Sequence, residues 1–206
     1  ELQVETAYSG KQGATIVLAA IAVAVMLGVE PQQMSLAAAS LQPFAGRLQV
    51  LEGTNGSILI DDTYNSSPLA TRAALDVLYQ ADAKQKIAIL GDMNELGDSS
   101  ADEHRSLGAY CRADELDYVI TIGTKSCDDL APAAEAAGCR VKSFTSAVEA
   151  GKFVRAIIAP GALILAKGSQ NGVFAEEAIK QRLKHPDDAN KLVRQSEEWL
   201  RKKTDT

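Results

Sequence analysis

An apolar run, Ile58-Leu59-Ile60, ends in two acids, Asp61 and Asp62, and continues Thr63-Tyr64-Asn65-Ser66-Ser67-Pro68. The run reads as a strand and Pro68 as the opening of a helix. Side chains just beyond the carboxyl end of a strand face the crevice in which α/β sheets bind ligands. Adjacent carboxylates, a phenol and an amide at such an edge suit a polar, phosphorylated or metal-bound ligand. The alternative is a polar turn in which Asn and Ser serve as turn and cap residues.

Three further polar loops follow strand-like runs: Gly91-Asp92-Met93-Asn94-Glu95-Leu96-Gly97, Gly123-Thr124-Lys125-Ser126 and Lys167-Gly168-Ser169-Gln170-Asn171-Gly172. The last has the parts of an anion site: a cation, a hydroxyl and backbone amides opening a helix. Neither a Walker pattern nor a G-x-G-x-x-G fingerprint follows any of these runs.

The elements needed to position these loops form a regular series. Arg47–Leu51 and Ser57–Asp61 read as strands joined by Gly53-Thr54-Asn55-Gly56, whose Asn-Gly is a hairpin signal. Helices are then expected at Ser67–Gln80, Ala101–Ala113, Ser126–Ala137, Ser146–Ile158 and Val173–Lys184. They alternate with strands at Lys86–Leu90, Tyr118–Ile122, Arg140–Phe144 and Ala162–Ala166. The continuously apolar strands imply coverage on both faces. The expected fold is therefore α/β: a Rossmann-like, mostly parallel sheet with helices on both faces.

Residues 1–45 read differently, as a short strand, an Ala-rich helix and a second short helix near Gln32–Ser40. The segment Ala14–Val29 is apolar apart from Thr15, and a helix apolar all round must be covered on every side. It is shorter than the roughly 20 residues a membrane span needs. The expectation is a domain that begins upstream, with residues 46–184 forming the Rossmann-like domain. Residues 185–206 are expected to form a helix, started at Pro186-Asp187-Asp188 and docked through Leu192, Val193, Trp199 and Leu200.

Composition excludes rather than identifies. The chain has 206 residues, 21 basic against 27 acidic, and a formal net charge of −6. That balance argues against a nucleic-acid surface. Cys111, Cys127 and Cys139 lack C-x-x-C spacing, which points to buried or half-buried thiols in a cytoplasmic protein rather than to a disulfide framework or a zinc site. The opening lacks a basic start followed by an apolar run, so no signal peptide and no membrane insertion are expected.

Taken in order, Gly46-Arg47, Asp61-Asp62-Thr63-Tyr64-Asn65-x-x-Pro68, Gly91-Asp92-Met93-x-Glu95-Leu96-Gly97 with His104 after it, and Lys167-Gly168-Ser169 resemble the muramyl (Mur) ligase family over nearly the whole chain. Sister ligases that add one amino acid carry an Asp-x-Ala-His-type motif where this chain has Asp62-Thr63-Tyr64-Asn65, so the resemblance is to the dipeptide-adding branch. It implies an ATP- and Mg²⁺-dependent enzyme that joins UDP-N-acetylmuramoyl-tripeptide to D-alanyl-D-alanine through an acyl phosphate, as a monomer. It also implies that residues 1–45 are the end of a central ATP-binding domain whose P-loop, magnesium-binding glutamate and carbamylated lysine lie upstream.

Residue by residue, the resemblance implies that Arg47 contacts the ATP phosphate or acyl phosphate. Asp62 would reach the nucleotide ribose or hinge. Asp61, Tyr64, Asn65 and Ser169 would line the substrate site, with Arg47, Asn65 and Lys167 in catalytic roles and no metal ligand in this chain. Glu95 and His104 match a loop and helix of the family without an assigned role. Two departures stand out. Gln12 replaces the histidine of the family's Gly-x-His motif, and Gln170 stands where arginine is common. A stand-alone nucleotide- or D-peptide-binding module, or a sister ligase using another amine, remain the alternatives.

Overall fold

The computed structural model describes residues 2–204, with the side chain of Thr204 excepted. The ends of the first and last expected segments, Glu1 and Asp205-Thr206, lie outside the described residues. The chain folds as two compact units, residues 1–44 and 45–206.

The first unit holds α1 (Gly10–Met26) and α2 (Pro31–Ser40). The strand expected before α1 is not formed by residues 2–9, because no second strand within the unit offers its backbone a partner. Within this unit α1 is not covered on every side. Only Gly13 and Val17 of this helix are buried, while Ile16, Leu18, Val23, Val25 and Met26 are exposed. Among the described residues no helix is long and apolar enough to cross a membrane.

The second unit is a six-stranded sheet in the order β1-β2-β6-β3-β4-β5. Its strands are β1 (Gln49–Glu52), β2 (Ile58–Asp62), β3 (Lys86–Gly91), β4 (Tyr118–Ile122), β5 (Val141–Phe144) and β6 (Leu163–Lys167). The hairpin partner β1 runs antiparallel to β2, and every other neighbouring pair is parallel. Apolar side chains alternate between two cores, as a strand's twofold period requires. Leu59, Ile87, Ile89, Ile120 and Ile164 meet α6 (Ala147–Ile157) and α7 (Glu176–Lys180) on one face. Ile60, Ala88, Leu90, Val119 and Leu165 meet α3 (Pro68–Gln80), α4 (Ser100–Gly108) and α5 (Ala131–Ala136) on the other. This is the Rossmann-like α/β sheet expected from the sequence.

Three helices depart from the expected ranges. The first is α4, which stops at Gly108 rather than Ala113. A Cβ on Gly108 would lie 2.3 Å from the Leu130 carbonyl oxygen, so here α4 touches the backbone of the next helical segment. That segment begins as one π-helical stretch, Ser126–Leu130, before becoming α5. The second is α7, which starts at Glu176 instead of Val173 because Phe174 takes a left-handed φ of 48°. The third is the tail, which is two pieces rather than one helix: a 3-10 segment Pro186–Lys191 and α8 (Glu197–Thr204). Between them Leu192 and Val193 are buried and Arg194 has φ 56°.

Topology sets the position of the crevice. The loop after β6 leads to α7 on one face, whereas those after its neighbours β2 and β3 lead to α3 and α4 on the opposite face. Loops that part in this way open a crevice at the carboxyl edge of the sheet, and the Lys167-Gly168-Ser169 loop stands at that point.

Candidate active-site edge

Strand register explains the first contact at this edge. Asp62 on β2 pairs directly with Lys167 on β6, so their side chains emerge side by side. Lys167 Nζ lies 2.5 Å from Asp62 Oδ2 and donates to the Asn65 carbonyl at 3.0 Å. The other Asp62 oxygen accepts from the Leu48 amide at 3.1 Å. Lys167 is 2% exposed and Asp62 7%. Burial pushes the Asp62 carboxyl above its usual range, and the lysine ammonium opposes that shift. The cation read from the sequence as open to an anion is thus engaged inside the protein, where it ties the β2 loop to β6.

Asp61 faces the other core and is fully buried. One carboxylate oxygen accepts from the Thr63 amide at 3.1 Å and from Thr63 Oγ1 at 2.6 Å. The other is buried with no hydrogen-bond partner. Burial drives its pKa from 3.8 to about 6, more than the two Thr63 bonds lower it, and nearby Glu176 adds repulsion. A carboxyl that binds its proton more tightly when folded stabilises the fold most below its unfolded pKa, and loses that contribution as pH rises through the folded value. Between pH 4 and pH 6 this group should therefore lower the unfolding free energy by about 2 kcal/mol. Urea unfolding of the wild type and D61N across that window checks this, because D61N should lack that component of the slope.

The β3 and β6 loops are also tied together. The Ser169 hydroxyl accepts from the Asn94 amide at 2.8 Å, the Ser169 amide donates to the Asp92 carbonyl at 3.0 Å, and the Asn94 side chain reaches the Asn171 carbonyl at 3.0 Å. Ser169 is 1% exposed. Gly91 and Gly168 allow the approach, since a Cβ on Gly91 would fall 2.2 Å from Val173 Cγ1 and 3.3 Å from the Gly168 Cα. The loop after β4 is not an open set of donors either. Asp92 accepts from the Ser126 amide at 2.6 Å and the Lys125 amide at 3.3 Å.

His104 has a definite place. It is fully buried, its Nε2 accepts from the Met93 amide at 3.0 Å, and its Nδ1 lies 2.7 Å from the Ser100 carbonyl. An acceptor at one nitrogen and a donor at the other describe the neutral Nδ1–H tautomer. The histidine therefore splints the β3 loop to α4. Glu95, with φ 64°, sits on the turn within that loop.

Three of the expected site residues remain at the surface: Arg47, Tyr64 and Asn65. The Arg47 guanidinium lies over the Tyr64 ring, 4.2 Å from its centroid, a cation–π contact. The Tyr64 amide donates to the Gly46 carbonyl at 3.1 Å. The edge thus has a presenting layer, Arg47, Tyr64 and Asn65, over a buried layer, Asp61, Asp62, Lys167 and Ser169.

Sequence reasoning missed three members of the buried layer, Arg194, Glu176 and Lys203. Arg194 pairs with Glu176 through Nε at 2.9 Å and Nη2 at 2.6 Å, and the Lys203 ammonium is 2.8 Å from the same carboxylate. The same Arg194 donates to the Thr63 carbonyl at 2.6 Å and the Tyr64 carbonyl at 3.2 Å. The only sequence signal was an arginine within a polar tail, which carries no positional information.

The mostly parallel six-stranded sheet with helices on both faces makes residues 45–206 a Rossmann-like α/β domain. The family model described as "Mur ligase, glutamate ligase domain" matches residues 46–170. The chain belongs to the Mur ligase family. It is 31% identical over 183 residues to the UDP-N-acetylmuramoyl-tripeptide–D-alanyl-D-alanine ligase of Bacillus subtilis, covering 86% of this chain and 39% of that protein. Among solved structures, MurF from Acinetobacter baumannii superposes with a TM-score of 0.71 at 29% identity, over 86% of this chain and 38% of that one. MurF from Thermotoga maritima in complex with ADP gives 0.65 at 26% identity, over 84% and 40%. The chain spans about two fifths of the length of these relatives.

Proposed function

We propose that this chain is the carboxyl-terminal part of an ATP-dependent ligase that adds D-alanyl-D-alanine to UDP-N-acetylmuramoyl-tripeptide in cytoplasmic peptidoglycan synthesis. The observation that carries the reading is the exposed Arg47-Tyr64-Asn65 layer, held at the crevice edge of a domain of this family.

In such a ligase ATP phosphorylates the tripeptide carboxylate. The dipeptide amine then attacks the acyl carbon, an amide forms and phosphate leaves. Reactants that carry like charge must be held together, so positioning and charge neutralisation supply the catalysis. Arg47, stacked on Tyr64, presents its guanidinium to phosphate oxygens. The Asn65 amide offers a donor and an acceptor to the incoming dipeptide. Lys167 and Asp62 act through the Asn65 backbone, as positioning residues for it. Ser169 aligns the neighbouring loop.

Magnesium does not fit this chain's own residues. Among the described residues no cluster of three or more His, Cys, Asp or Glu side chains could hold a metal ion, and the site carboxylates are engaged with Thr63, Lys167 and Leu48. Any metal in the reaction belongs to another part of the protein. The same holds for the ATP phosphate cradle. The exposed apolar side chains of α1 support placing residues 1–44 in an ATP-binding domain that continues upstream.

The test compares two proteins. The 206-residue chain by itself should release no phosphate from ATP and form no amide, whereas the longer protein containing it should do both when given tripeptide nucleotide and D-alanyl-D-alanine. Ligation by the chain alone, or none by the longer protein, would overturn the reading. Tight calorimetric binding of ADP or of the dipeptide to the chain alone would favour a stand-alone binding module.

A further inference from the structure

The presented residues are held from behind by the tail. Arg194 adopts a left-handed φ of 56°, a conformation that costs a non-glycine residue stability unless its surroundings enforce it. Here they do. The guanidinium is bidentate to Glu176, and its remaining donors reach the Thr63 and Tyr64 carbonyls. The Arg194 side chain is 5% exposed and that of Glu176 fully buried. A planar fork serving a carboxylate on one side and two consecutive carbonyls on the other is geometry an ammonium cannot reproduce.

Those carbonyls belong to the first residues after β2, in the segment that exposes Tyr64 and Asn65. The neighbouring Val193 closes the same region from another side, since its Cγ1 lies 2.9 Å from where a Cβ on Gly46 would stand. We propose that Arg194 is a positioning residue of the ligand site. It fixes the backbone of Thr63 and Tyr64, and through the Tyr64 ring it fixes the direction of Arg47. The inference rests on the ligase reading above. Its ligand consequence concerns the amine and phosphate groups that Asn65 and Arg47 would meet.

Two measurements on R194K test it. In the 206-residue chain, hydrogen exchange at the Tyr64 amide should quicken about tenfold, with β3 amides such as Ile89 unchanged. In the longer ligase, the KM for D-alanyl-D-alanine should rise about tenfold, because misplacement of a binding group weakens substrate capture. A merely structural role would lower the melting midpoint and the active fraction while leaving KM unmoved. Should R194K fail to fold, E176Q/R194M removes the buried carboxylate's charge together with the guanidinium and takes its place in both assays. Tyr64 exchange within twofold of wild type, or an unchanged KM in an active ligase, would overturn the inference alone. A wild-type longer protein without turnover would instead overturn the ligase reading, and the inference with it.

Discussion

Replacing Lys167 with methionine should destabilise the chain by about 3–5 kcal/mol, because it removes the ammonium that pairs with the buried Asp62 carboxylate. Methionine keeps most of the lysine's volume, so packing loss is a minor part of the effect. The ammonium lies 2.5 Å from Asp62 and 3.0 Å from the Asn65 carbonyl, and both partners lose a donor at once. The remaining bond to Asp62, from the Leu48 amide at 3.1 Å, cannot replace a charge. Urea unfolding measures the loss. The double variant D62N/K167M should recover much of it, since the stranded charge is then gone. A single-variant cost below about 1 kcal/mol would mean that water reaches Asp62 freely, at odds with its burial. The consequence for activity is separate: with Asn65 no longer tethered, the double variant should fold yet catalyse poorly in the longer protein.

Gly46→Ala should cost about 3 kcal/mol, from a left-handed backbone added to a steric clash. Gly46 has φ 67°, and an added Cβ would lie 2.7 Å from the Tyr64 nitrogen and 2.9 Å from Val193 Cγ1. The first of these is backbone and cannot rotate aside. The Tyr64 amide would be pushed from the Gly46 carbonyl it now meets at 3.1 Å, and Arg47 would be carried with it. G46N separates the two causes, because asparagine tolerates positive φ but keeps the clash. Equal losses in G46A and G46N, measured by thermal unfolding, would assign the effect to close approach. A loss below about 1 kcal/mol in G46A would show that the β2 loop yields readily.

The alternation of strands and helices was legible because the central parallel strands β3 and β6 are apolar on both faces. Ile87-Ala88-Ile89-Leu90 and Leu163-Ile164-Leu165-Ala166 divide their side chains between two cores, and such runs have few other uses. Helix ends were less legible. Phe174 in a left-handed turn delays α7, and α4 ends where Gly108 meets the Leu130 carbonyl; periodicity contains neither feature. That the polar loops after β2, β3 and β6 gather at one sheet edge was readable, but the division of their residues into presented and buried groups was not. That division depends on β6 inserting between β2 and β3, and hydropathy carries no strand order. Lys167 therefore looked like an open cation until register set it against Asp62. Arg194 had no legible signal at all, since its partners lie 18 and about 130 positions away in sequence.

The insertion of β6 also has a consequence for when the edge can exist during synthesis. Strands β3, β4 and β5 pair with their sequence neighbours, so that half of the sheet can form on an emerging chain. Strand β2 has only its hairpin partner β1 until β6 arrives, and the Asp62–Lys167 contact spans 105 positions. Contacts of such separation carry a large loop-closure cost and form late. A nascent chain therefore holds Tyr64 and Asn65 without this support until Lys167, 105 positions after Asp62, has emerged. The edge is completed only after the tail bearing Arg194 has left the ribosome.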